Sequence, residues 1–263
     1  MSSALAIAKK ELDVYFTTPV AYVAFMVMAF FAAQFFTGSL EWYRQIAMRI
    51  SMEGPQAMER LNLTDVVVSR LFGSVGIFII ISAPFLSMRL IAEEKRARTF
   101  ELLMTAPVRP FEIVAGKYLA ALVVMAASIG LVAIFPALLS FVARGAKGGS
   151  PVEWQTVATG LLGLFLLGSM AMAVGLFVSS LTESVIVAAL VSLILLLALW
   201  VVTIFTVGAE GPLKDLAQGM SASEHLMPFL QGRIELRDVV YYLSFVALSL
   251  WLTDRAIEGH RWA

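Results

Sequence analysis

Apolar and polar residues follow one another along this chain in long blocks. Strongly apolar stretches, uncharged apart from Arg70 at the start of the second, recur at about 20–38, 69–88, 118–142, 156–181 and 185–207. Each reaches the ~18 residues that a helix needs to cross a hydrocarbon core. A sixth stretch, 239–254, is weaker: its uncharged run from Val239 to Leu252 has 14 residues. That is about 21 Å of helix against a ~30 Å core, so Asp238, Asp254 and Arg255 are expected to reach the interfaces by snorkelling. The polar connections are then 39–68, 89–117, 143–155, 182–184 and 208–238. Pro84 and Pro136 lie inside the second and third stretches and are expected to kink them. Residues 4–17 place Leu5, Ala8, Leu12 and Tyr15 at helical spacing, with Lys9, Lys10 and Asp13 elsewhere. This is the pattern of an amphipathic helix lying in the headgroup plane, and Thr18-Pro19 ends it. The pattern predicts an all-α membrane protein: one domain over residues 1–263 with six spans.

Composition agrees. The chain is 60% hydrophobic and 14% charged, against roughly 25% charged in a soluble domain. With no cysteine there is no disulfide framework and no thiolate chemistry. Zero formal charge argues against a nucleic-acid partner. Lys9 and Lys10 are followed at once by Glu11 and Asp13, with no small-residue cleavage site after the apolar run, so an uncleaved anchor is expected. Gly160, Gly163, Gly168 and the Ala171/Gly175 pair on the fourth stretch read as close-packing positions.

The most informative segment is the charged island between the second and third stretches, Met88–Lys117, MRLIAEEKRARTFELLMTAPVRPFEIVAGK. Such a segment cannot sit in lipid. Its first part, through Arg98, extends the preceding helix. Thr99 is placed to cap a short helix, Phe100–Ala106, that Pro107 stops. Pro110 suits the first position of a third helix, with Glu112 near its positive end. Phe100, Leu102, Leu103 and Met104 would then form an apolar knob within a charged collar, the build of a protein–protein contact. The alternative is a solvated loop whose charges only set topology.

The residues Glu93-Glu94-Lys95-Arg96, Arg98-Thr99-Phe100-Glu101-Leu102-Leu103, Thr105-Ala106-Pro107-Val108 and Glu112-Ile113-Val114-Ala115-Gly116-Lys117 resemble the first cytoplasmic loop of type-2 ABC transporter permeases. The chain departs from that pattern at Arg98, where the family commonly has glycine, so a different turn is expected before Thr99. Ser223-Glu224-His225, Pro228-Phe229, Gly232-Arg233-Ile234 and Arg237–Leu243 resemble the gliding-motility permeases and their copper-enzyme-maturation relatives.

The resemblance implies a six-span permease with both termini cytoplasmic, in the inner (plasma) membrane, with residues 4–17 as an elbow helix carrying Lys9, Lys10 and Leu12. It implies a coupling loop at 89–117 that meets a cytoplasmic ABC ATPase. Glu93, Glu94 and Glu101 would form the collar, with Arg98, Thr99, Phe100, Leu102, Leu103, Met104 and Pro107 completing the contact. Thr182, Glu183 and Ser184 form a possible second contact. ATP and Mg would sit on the ATPase, and a second permease subunit, identical or related, would complete the membrane part.

This chain has no G-x-x-x-x-G-K-[ST] loop, so it is not expected to bind ATP or to be an enzyme. No metal or cofactor set is recognised. His225 and His260 lie in different segments and read as packing or surface residues. Well inside the spans, ionisable residues are nearly absent, which argues against a proton-coupled carrier. Gln34 reads as an interhelical hydrogen-bond former. With the termini inside, ten basic residues fall inside and nine outside, so charge counting barely orients the chain. The dense basic cluster at 89–117 and Lys9/Lys10 favour that orientation. Two functions follow: a permease moving substrate, by export, or a mechanical transducer acting through loops 39–68 and 208–238 on an extracytoplasmic auxiliary protein.

Overall fold

The computed structural model describes residues 3–52, 62–100, 108–143, 152–206 and 211–261. Helix α1 spans Ser3–Thr17 and α2 spans Val20–Ser51. A π-turn, Thr64–Val68, leads into α3, Ser69–Ser87, and α4, Arg89–Arg96, follows directly. The third span consists of α5, Pro110–Val132, and α6, Ile134–Ala143. Next come α7, Trp154–Leu181, and α8, Val185–Val201, which tightens into a 3-10 turn at Val202–Thr206. Two short helices, α9 (Pro212–Met220) and α10 (Ala222–Leu230), precede α11, Leu236–Arg261. The fold is all-α, with six helices among the described residues long and apolar enough to cross a membrane.

Helix α7 is the central post: α3, α5, α8, α10 and α11 all pack on it, and most of its side chains are buried. Its glycines make this possible. A Cβ at Gly163 would lie 2.6 Å from Phe229, and one at Gly168 would lie 2.8 Å from Met125. A Cβ at Gly175 would overlap the Ser87 hydroxyl of α3. The small-residue spacing seen in the sequence is a set of sockets for neighbouring side chains.

Pro136 breaks the third span one turn upstream, at Ala133, because its ring blocks the carbonyl four residues earlier. Pro84 does not break α3, which runs on to Ser87.

Two expectations are corrected. Residues 39–51 are not a connection but part of α2, whose 32 residues extend about 48 Å and overrun the bilayer core. Asp238 does not reach out to an interface. It turns inward, because His225 of α10 offers a buried partner at 2.6 Å, and α11 gains length instead by continuing as helix to Arg261.

Candidate functional site at the charged junction

Helix α4 carries the chain out of the bundle at an angle fixed from outside. The Ser179 hydroxyl of α7 accepts the amides of Ile91 and Ala92, at 3.2 and 3.0 Å, and donates to the Met88 carbonyl at 2.8 Å. One buried side chain thus satisfies the backbone groups freed where α3 gives way to α4. Lys95, next along, donates to the Ser180 carbonyl at 2.5 Å, at the negative end of α7. Burial lowers the Lys95 pKa, and the nearby Glu183 charge opposes that shift.

The turn after α4 is a Schellman motif. The Arg98 amide donates to Lys95, and the Thr99 amide donates to Glu94, at 3.1 and 3.0 Å. Arg98 sits at φ 54°, the only non-glycine residue in the left-handed region among those described. The arginine therefore holds a conformation that glycine adopts without strain.

Phe100 corrects an expectation. It is 6% exposed and belongs to the core, with the Lys95 ammonium 5.6 Å from its ring centroid. Desolvating the ring against the bundle outweighs presenting it to a partner. Thr99 donates its hydroxyl back to the Glu94 carbonyl. Glu101, Leu102, Leu103, Met104 and Pro107 lie outside the described residues, as does most of the expected short helix.

Behind α4 lies an ion cluster not anticipated as a unit. Lys117, 1% exposed on α5, reaches Glu11 of α1 at 2.8 Å and Glu94 of α4 at 2.9 Å. Lys10 approaches Glu94 at 3.7 Å from the surface. The second Glu94 oxygen is buried, with no hydrogen-bond partner among the described residues. A buried cation between two carboxylates resists separation, because removing one member strands the others in low dielectric.

Gly116 explains how α1 comes near enough. A Cβ there would lie 2.7 Å from the Ala4 carbonyl and 2.8 Å from Ile7 Cβ. The Gly-Lys pair therefore does two jobs: glycine admits helix α1, and lysine binds it. Tyr15 adds a hydrogen bond to the Leu86 carbonyl at 2.7 Å. The buried face of α1 is Ala8, Glu11 and Tyr15. Leu5 is exposed. Leu12 is half-buried against the core and Lys9 is exposed.

Pro110 opens α5, and the Glu112 carboxylate accepts the Arg109 amide at 3.1 Å. The second expected contact adjoins the first. Arg96, Glu183, Ser184, Val185 and Ile186 line one cavity of about 460 Å³ between α4 and the α7–α8 turn. Ser184 caps α8 by accepting the Val187 amide. Glu93 is exposed and lies 3.9 Å from Arg89. The signal in the sequence for the Lys117 cluster was slight: a lysine that is the last charge before the long apolar run of α5.

At the far end of α3 the C-terminal motif folds on itself. The His225 Nε2 faces the Gly219 carbonyl at 3.2 Å and so carries a proton, while Nδ1 faces Asp238. Tyr241 stacks on His225 at 4.0 Å and donates to the Met220 carbonyl. Tyr242 donates to the Ala222 carbonyl.

Six apolar helices, one of them buried at the centre of the others, with a charged element fixed at one end, define a polytopic membrane protein of the permease type. The sequence matches the family model described as ABC-2 family transporter protein over residues 5–252, and the chain belongs to that family. It is a multi-pass permease subunit of an ABC transporter, a kind of subunit that associates with an ABC ATPase. No curated protein matches it.

Proposed function

We propose that this chain is the permease half of an exporter in the inner (plasma) membrane, with both termini cytoplasmic. It pairs with a second permease subunit, identical or related, and with two cytoplasmic ATPase subunits that hold ATP and Mg. The observation that carries this reading is the Lys117 cluster. It ties together α1 and the two helices that flank residues 101–107 in the chain, α4 and α5. A push on that segment reaches the second span through α4 and the third through α5, rather than dissipating in a loose loop.

In this reading α1 is the elbow helix. Glu93, Arg98, Thr99 and residues 101–107 meet the ATPase, and Thr182, Glu183 and Ser184 widen the same face. Phe100 acts as the loop's anchor. Kinship with the gliding-motility and copper-enzyme-maturation permeases rests on the sequence resemblance of the 223–243 motif. The transducer alternative is less well supported. Residues 222–230, which it would use for docking, are spent on α3 and α7, with Leu226 and Phe229 buried there.

The test is co-purification from the native membrane in mild detergent. A stoichiometric ATPase is expected with the wild type. Leu103→Asp is expected to lose that ATPase, or its stimulation, while inserting normally. Unchanged ATPase stimulation in that variant would sink the assignment of the loop.

A further inference from the structure

A cleft of about 440 Å³ opens between α2 and α3, beside the Thr18-Pro19 break. Val23, Val27, Phe78, Ile81 and Phe85 form its walls. The size is that of a ligand site, and the lining has two polar residues, Ser82 and Arg89. Ser82 is spent on its own helix, donating to the Ile79 carbonyl. Arg89 is half-exposed at the cleft's end, and its ion pair to Glu93 is 3.9 Å, too long for a hydrogen bond.

The depth of the cleft identifies its occupant. Along α2 it runs from Pro19 to Val27, and along α3 and α4 from Arg89 back to Phe78. At 1.5 Å per residue these are about 12 and 16 Å, close to half of a ~30 Å hydrocarbon core. The cleft is therefore one leaflet deep, greasy inside and cationic where the headgroups lie. A soluble anion has no use for the apolar walls. A guanidinium with no hydrogen bond to the described residues suits a phosphate.

We propose that the cleft binds one phospholipid from the leaflet on the α1 side, with an acyl chain between α2 and α3 and the phosphate on Arg89. The test is native mass spectrometry of the purified chain, delipidated and then titrated with phosphatidylglycerol. The wild type is expected to retain one lipid through activation that strips the rest. Arg89→Gln is expected to weaken that site about ten-fold, Ala24→Trp to fill the cleft and abolish it, and Ile194→Ala, on the outer face of α8, to change nothing. Arg89→Gln lies at an exposed site and decides the matter if Ala24→Trp does not fold. Lipid retention equal to wild type in Arg89→Gln would overturn the proposal. The chain lacks cysteine, so a lone cysteine at Val27 gives a second reading: disulfide-linked dimers in the membrane would assign the cleft to a second copy and also overturn it.

Discussion

Where α3 passes into α4, neighbouring helices are held by charge: Lys117 lies between Glu11 and Glu94. At the opposite end of α3 the fastening is of another kind. Ser69 donates to the Leu230 carbonyl at 2.8 Å, and Thr159 to the Phe229 carbonyl at 3.0 Å. Leu226 and Phe229 fill the space left by Gly76 and Gly163, and a titratable pair, His225–Asp238, is shut inside. The second end is a plug, closed by shape and short hydrogen bonds. The first is a joint: three helices meet there on long side chains. Charges joined through flexible stems can hold helices together while tolerating small changes of angle, whereas glycine sockets cannot.

The sharpest way to break this comparison is Lys117→Met. It removes the buried cation between Glu11 and Glu94, leaving, among the described residues, only the exposed Lys10 near Glu94, and is expected to cost about 3 kcal/mol, read as a lowered unfolding midpoint in detergent. Adding Glu11→Gln and Glu94→Gln should restore most of it. A loss below ~1 kcal/mol in the single variant would mean that the cluster is solvated and the joint is not held by it.

His225→Ala probes the plug. It orphans Asp238 and is expected to cost roughly 2–3 kcal/mol, with ATPase association intact. Lost association would show that the two ends are not separable.

Gly175→Val tests the close approach of α7 to α3 beside Ser87. Overpacking of that kind costs about 1–3 kcal/mol. A neutral effect would remove the socket argument. The smallest effect is a gain: Arg98→Gly relieves a left-handed residue and is expected to stabilise by ~0.5–1 kcal/mol, the saving in backbone strain less glycine's added chain entropy. Loss of stability would show that the Arg98 side chain makes a contact worth more than the strain.

Much of the architecture was legible in the sequence, because the membrane imposes a simple rule. Runs without charge must be helices, since lipid offers backbone groups no partner. The start of α5 was equally plain, as Pro110 and Glu112 act locally. The error over 39–51 has a physical cause: polar residues there were read as the end of a helix, but a helix can leave the bilayer without ending.

Side-chain partnerships were not legible. Phe100 reads as a presented knob until the bundle provides a surface beside Lys95 for it to bury. Asp238 reads as an interfacial charge until α10 brings His225 to it. Lys117, Glu11 and Glu94 are far apart in the chain, and only Gly116 brings α1 close enough for them to meet. The sequence by itself determined the helices, the breaks and the charged segment outside lipid, because these follow from local propensity and hydrocarbon solubility. The tertiary structure alone decided which charges are paired and which apolar faces are covered, because lipid and protein select the same residues for a helix surface, and a charge is settled only by the partner it finds.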